Sequence, residues 1–360
     1  MEKRKGAADF DKNMVVHTGI DEPDLVWLDV RDEPFSLHGV WFDEQQGTYV
    51  RMPQAIADAT NEGVAHLNKN TAGGRVRFVT DSPVIAIHAV MKNEPANDHL
   101  TLCGQSGFDL YRKQADGTDV FVRTFRPPVG MKEGYSSLLP APAEAGEYTV
   151  NFPLYDNVQA VYIGLKRTAL LEAAPAYPNE KPVVYYGSSI TQGGCASRPG
   201  NSYQAILSRR LNIDYINLGF SGSGRAEKVM CEYLAGLEMS VFVCDYDHNA
   251  PTLEHLQATH LPLLRAVRAA QPALPILVLS APDVLLGDAA FWQPRRELIR
   301  KNVETLQAEG DTNIVFLDGA SLFAGEGWDS CTVDGCHPND LGFWRMAQAI
   351  EPVLKAMLEK

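Results

Sequence analysis

The strongest constraint on the fold is a change of rhythm near residue 180. Beyond it, five short apolar runs (183–186, 215–218, 241–245, 276–280 and 314–318) alternate with longer segments of helical character. Helices are expected over 202–211 with Asn201 as N-cap, over 226–237, from the Thr252 cap to about 270, over 288–307 and over 339–358. Strands separated by helices of this length mean βαβ units and a parallel sheet covered on both faces. In such sheets the chemistry gathers in loops beyond the carboxyl ends of the strands.

Before residue 175 the pattern is different. Segments such as Arg75-Val76-Arg77-Phe78-Val79-Thr80 and Glu147-Tyr148-Thr149-Val150-Asn151-Phe152 alternate apolar and polar residues, the period of half-buried antiparallel strands. Turn residues punctuate them, and the sum reads as an all-β sandwich of jelly-roll type. A hairpin is expected about Thr80-Asp81-Ser82-Pro83, and a helical turn or loop over 53–59. His17, His38, His66, His88 and His99 are scattered without ligand spacing and read as surface or structural residues. The Pro-rich stretch 171–182 is the natural boundary, so the expected domains are 1–178 and 179–360.

Composition excludes several classes of partner. A net charge of −13 disfavours nucleic acid and anionic membrane surfaces. No apolar stretch reaches the roughly 18 residues of a membrane span, and the basic start (Met1-Glu2-Lys3-Arg4-Lys5) has no apolar segment after it. A cytoplasmic location is the expectation. The six cysteines form no C-x-x-C pair and read as free, mostly buried thiols; Cys331 and Cys336 flank a turn, which leaves a disulfide as the alternative there.

Four strand-end loops hold the densest polar signals. The first contains Gly187-Ser188-Ser189-Ile190-Thr191; Thr191 stands where a Gly-x-Ser-x-Gly elbow needs its second glycine, so that template fails. The second, Gly219-Phe220-Ser221-Gly222-Ser223-Gly224, offers backbone N–H donors but lacks a dinucleotide-binding register. The third, Asp245-Tyr246-Asp247-His248-Asn249, has metal-ligating residue types, but no further convergent ligands are apparent, so neither metal nor cofactor is expected. The fourth, Asp334-Gly335-Cys336-His337-Pro338, places a carboxylate three residues before a histidine, either as a capping turn or as a partner that orients the imidazole.

Taken in order, these four blocks resemble those of the SGNH (GDSL-type) hydrolases. The resemblance covers about residues 180–360 and implies a three-layer α/β/α, flavodoxin-like domain. It implies Ser189 as nucleophile, His337 as base and Asp334 as its orienting carboxylate. The oxyanion hole would comprise the N–H groups of Ser189 and Gly222 and the Asn249 side chain. Two departures stand out: Ser188 replaces the usual Asp before the nucleophile, and an ungapped alignment would put His248 opposite the family's Asn. Asn249 is preferred because a neutral amide is the better fixed donor. A first block reading Gly-Ser-Ser-Ile-Thr, with a β-sandwich ahead of it, is similar to a two-domain subgroup planned like carbohydrate esterases.

A serine esterase is therefore expected, deacetylating a carbohydrate or another small acylated substrate. Alternatives are a thioesterase, lysophospholipase-type lipase or peptidase on the same fold, and a carbohydrate-binding protein with a relic pocket. Arg198, Tyr246, His248 and Trp328 are candidates for substrate contact. The expected partner is a small-molecule or oligosaccharide ester, and the sandwich edges leave room for a homo-oligomer.

Overall fold

The computed structural model describes residues 19–92, 94–282 and 288–359. The first half carries strands β1 (Leu25–Asp29), β2 (Ser36–His38), β3 (Trp41–Asp43), β4 (Thr48–Val50), β5 (Arg75–Thr80), β6 (Val84–Lys92), β7 (Phe108–Lys113), β8 (Asp119–Phe125), β9 (Gly134–Pro140), β10 (Gly146–Asn151), β11 (Asn157–Lys166) and β12 (Leu171–Glu172). Short helices α1 (Gln54–Thr60), α2 (Glu62–Leu67) and α3 (Leu102–Ser106) interrupt them. One antiparallel sheet runs β1-β11-β6-β9; the other runs β12-β5-β10-β7-β8, with β2 added on β5. Val76, Phe78, Phe108, Leu110, Tyr148 and Val150 of the second sheet meet Ile85, Ile87, Val161 and Ile163 of the first in a shared core.

The expected hairpin at Thr80–Pro83 does not form. β5 and β6 lie in opposite sheets, and Asp81-Ser82-Pro83 carries the chain across the sandwich. The apolar sets of both strands face one core from opposite sides, so they cannot pair edge to edge. Residues 53–59 resolve into α1, with Pro53 at its N-cap.

The second half contains β13 (Val183–Gly187), α4 (Ser189–Gln192), α5 (Tyr203–Leu211), β14 (Tyr215–Gly219), α6 (Lys228–Gly236), β15 (Val241–Asp245), α7 (Leu253–Ala270), β16 (Ile276–Leu279), α8 (Ala289–Ala308), β17 (Ile314–Leu317) and α9 (Asp340–Leu358). Its five strands are all parallel, in the order β14-β13-β15-β16-β17. One face packs on α6, α7 and α8, the other on α5 and α9. Burial on both faces explains why these strands read as continuous apolar runs.

Thr252 caps α7 by accepting from His255 N at 3.1 Å, as expected. Asn201 does not cap α5: it ends a 3₁₀ turn (Pro199–Asn201), and Ser202 takes the cap position without a side-chain bond. Helix α6 begins two residues later than expected because Ala226 adopts a left-handed φ of 56° while its N–H donates to Tyr186 Oη at 2.8 Å. Cys331 and Cys336 are free thiols. Among the described residues, no helix is long and apolar enough to cross a membrane.

Candidate active site

β13 lies between β14 and β15, the point where the strand order reverses, with Gly187 in register with both Gly219 and Asp245. This crevice is where open α/β sheets bind ligands. A Cβ on Gly187 would sit 2.1 Å from Asp245 O, so only glycine lets the strands close this tightly before the chain turns. Ser188, fully buried, caps α4: its hydroxyl accepts from Ile190 N at 3.1 Å, and Thr191 Oγ1 accepts from Ser188 N at 3.2 Å. The residue that replaces the usual acid therefore closes a neutral capping box. Ser189 follows at the first helical position, where a backbone N–H has no partner within the helix. Gly193, at φ 104°, ends the turn and donates to Ser189 O.

Ser189 Oγ lies 2.9 Å from His337 Nε2, and His337 Nδ1 lies 2.7 Å from Asp334 Oδ2. Asp334 Oδ1 also accepts from Cys336 N at 3.0 Å and His337 N at 2.7 Å. The Asp-x-x-His segment is thus a tight turn and an oriented pair at once. The helix cap belongs to Asn339, which accepts from Leu341 N and Gly342 N. Partial burial opposes ionisation of Asp334, but the hydrogen bonds from the His337 ring and from the two backbone N–H groups outweigh it and hold its pKa down at about 2. A carboxylate ionised at Nδ1 keeps the proton there and leaves the Nε2 lone pair facing Ser189.

The second loop folds back under β13: Phe220 N donates to Gly187 O at 3.0 Å, and Ser223 N and Gly224 N donate to Phe220 O. Gly222 is exposed at φ 66°. Asn249 and His248 occupy one 3₁₀ turn (Asp247–Asn249) but face different ways. Asn249 Nδ2 donates to Phe220 O at 2.8 Å, against the second loop, and keeps a second amide hydrogen. The His248 ring packs 4.7 Å from Trp292, with Nδ1 3.4 Å from Asp247 Oδ1.

Of the other expected contacts, Tyr246 is a correction. It is 1% exposed, stacks near Tyr186 and His260 and hydrogen-bonds Thr259, so it belongs to the core rather than a cleft. Arg198 is held at the seam between the two halves: Nη2 donates to Tyr111 Oη at 3.2 Å, Nε is 3.5 Å from Asp109 Oδ2, and the guanidinium covers Phe121 at 3.9 Å. Trp328 starts a 3₁₀ turn and is 41% exposed. Asp245 of the third loop is fully buried, accepting from Thr191 Oγ1 and Tyr203 Oη at 3.1 Å each; burial and nearby Asp247 raise its pKa to about 7.

The first half reaches the site, which its scattered residues did not announce. Tyr155 Oη donates to Ser189 O at 3.1 Å, and the His99 ring stands 5.1 Å from that of His337. Gln192 of α4 donates to Asn70 and to Leu154 O while accepting from Ser221 N. Arg51, wholly buried, donates to Asn217 O at 3.1 Å and Gly219 O at 2.6 Å at the end of β14. Asp109, also wholly buried, accepts from Gly200 N and Asn151 Nδ2 at 2.8 Å each. A Cβ at Gly104 would meet Ala196 O at 2.1 Å and one at Gly200 would meet Asp109 Oδ2 at 2.8 Å, so each glycine allows a close approach across the seam.

Residues 180–355 match the model of the GDSL-like lipase/acylhydrolase family, and residues 25–171 match a model described as the N-terminus of Esterase_SGNH_hydro-type. The second model is named GxDLY, and Gly107-Phe108-Asp109-Leu110-Tyr111 spells that run here. It was the one legible signal for the seam. No curated protein matches the sequence. Among solved structures, a Bacteroides ovatus protein described as a GDSL-like lipase is 29% identical over 93% of this chain and 98% of its own, with a TM-score of 0.83. A salicylyl-acyltransferase from a tetracycline biosynthetic pathway is 20% identical over the same shares, with a TM-score of 0.75. A family two carbohydrate esterase from Clostridium thermocellum, solved with cellohexaose, is 18% identical over 80% of this chain and 93% of its own, with a TM-score of 0.57. The chain belongs to the GDSL-like lipase/acylhydrolase family of SGNH serine ester hydrolases, in its two-domain form with an N-terminal β-sandwich.

Proposed function

We propose that this hydrolase removes a small acyl group, such as acetate, from a carbohydrate or similar polyol, with Ser189 as nucleophile. The supporting observation is the relay of 2.9 Å from Ser189 Oγ to His337 Nε2 and 2.7 Å from His337 Nδ1 to Asp334. A serine hydroxyl is a weak nucleophile without an adjacent base, and this arrangement supplies one in the correct tautomer. Ser189 attacks the ester carbonyl as Nε2 takes its proton. The resulting oxyanion is held by the N–H groups of Ser189 and Gly222 and by the second amide hydrogen of Asn249, donors worth a few kcal/mol each. His337 then returns the proton to the leaving alcohol, and water repeats the cycle on the acyl-enzyme.

The part-exposed imidazole of His99 beside His337 favours a hydroxyl-bearing leaving group over a lipid, in line with the carbohydrate esterase likeness. Three measurements test the reading. A fluorophosphonate adduct is expected on Ser189, with turnover lost in a folded Ser189→Ala protein. p-Nitrophenyl acetate is expected to outrun the octanoate. Labelling elsewhere, or a preference for octanoate, overturns the corresponding half of the proposal.

A further inference from the structure

Beside the nucleophile, three soft ligand groups converge from three separate segments: His99 of the first half, Cys195 of the nucleophile loop, and His337. One ligand atom of each lies within 4.8 Å of the others. Each imidazole has a carboxylate at Nδ1, Asp334 at 2.7 Å for His337 and Asp98 at 3.2 Å for His99. That leaves Nε2 of both rings as the atom for a metal. A histidine whose other nitrogen is held by a carboxylate is the usual form of a metal-ligating histidine, because the second contact fixes the ring and raises its basicity. Cys195 is 4% exposed and takes a left-handed φ of 71°, and its thiol donates to His99 O at 3.5 Å. Backbone geometry that a side-chain-bearing residue rarely adopts therefore holds the sulfur against the histidine segment.

We propose that His99, Cys195 and His337 form a binding site for Zn²⁺, whose occupancy switches the hydrolase off. Two nitrogens and one sulfur suit a borderline-soft ion that binds tetrahedrally, with the fourth position left to water or to Ser189 Oγ. Ligands about 2.0–2.3 Å from zinc stand about 3.5 Å from one another, so the cluster needs a contraction of about 1 Å. Binding displaces the thiol proton to solvent and occupies the Nε2 lone pair that would otherwise accept the serine proton. No electron transfer is involved, and a chelator restores the base. Oxygen-seeking Mg²⁺ and Ca²⁺ do not match this donor set. The inhibitory readout rests on the proposed role of His337; the binding readout does not.

The test uses the full chain, stripped with a chelator and then dialysed. Co²⁺ titrated into it is expected to give a near-ultraviolet thiolate-to-metal band, absent from Cys195→Ser and weakened in His99→Gln. With p-nitrophenyl acetate, Zn²⁺ is expected to inhibit reversibly where Mg²⁺ does not. The inhibitory concentration should rise at least about tenfold in each variant, measured against that variant's own metal-free rate. His99 is partly exposed, so His99→Gln remains informative should Cys195→Ser fold poorly. No Co²⁺–thiolate band in the wild type, or equal Zn²⁺ sensitivity in wild type and variants, overturns the proposal. A band without any esterase activity supports the metal site and removes the functional reading instead.

Discussion

Asp334→Asn separates the two duties of the fourth loop. The carboxylate makes three hydrogen bonds: Oδ1 accepts from Cys336 N and His337 N, and Oδ2 receives His337 Nδ1. Asparagine keeps one carbonyl oxygen for the two backbone donors, so the turn survives. Its amide then presents N–H to Nδ1, which must become the acceptor, and the proton moves to Nε2. A protonated Nε2 cannot take the hydrogen of Ser189. The loss expected for a wrong tautomer in an otherwise intact triad is about 10³–10⁴-fold in kcat, or about 4–5.5 kcal/mol of barrier. Stability should change far less, because Asp334 is partly solvated and two of its three bonds persist. The assay is kcat on p-nitrophenyl acetate alongside a thermal melt. A variant with kcat within tenfold of wild type would show that Asp334 does not set the tautomer. An equally large loss accompanied by unfolding would show that its role is the turn.

Three further outcomes follow from the buried polar groups. Asp245 carries a folded-state pKa of about 7 against an ordinary carboxylate near 4, so the folded chain holds a proton that the unfolded chain has released. Stability should fall as pH rises from about 4 to about 7 and then level off, and Asp245→Asn should gain on wild type in melting temperature between pH 5 and 8; a constant difference would count against it. Asp109→Ala removes a wholly buried carboxylate from Gly200 N–H, Asn151 and Arg198, and is expected to cost about 3–5 kcal/mol in urea unfolding, with a loss below 1 kcal/mol refuting its role at the seam. Ser188→Ala opens the capping box and should cost about 1 kcal/mol in the same assay while sparing Ser189, whereas a collapse of kcat would show that the cap positions the nucleophile.

The parallel sheet was legible because each of its strands is buried on both faces and bounded by helices with readable caps, such as Thr252. The relay was legible because Ser189, Asp334 and His337 sit in strand-end loops whose order matters more than any single loop. What escaped notice depended on long-range meetings. β5 and β6 show a good turn between two good strands, and nothing local says that they join opposite sheets. Tyr246 sits among polar loop residues, yet its ring turns back into the core. His99 approaches His337, and Tyr155 approaches Ser189, only because the sandwich docks there, and Arg51 meets backbone carbonyls, which carry no side-chain signature. Phe108-Asp109-Leu110-Tyr111 has the residue pattern of a strand and opens β7. Its aspartate, however, faces the neighbouring half.

The close fit of Gly200 over Asp109 and Tyr111 also bears on inheritance. A Cβ at Gly200 would meet Tyr111 at 2.5 Å, so the glycine is tolerable to lose only where the facing residues have already shrunk, and one of them, Asp109, is in turn held by the glycine's N–H. Substitutions on the two sides must therefore arrive together. A recombination event that joined this hydrolase half to a foreign sandwich would break several such pairings at once. The two halves, distinct in architecture, are expected to descend through the lineage as a single unit of selection.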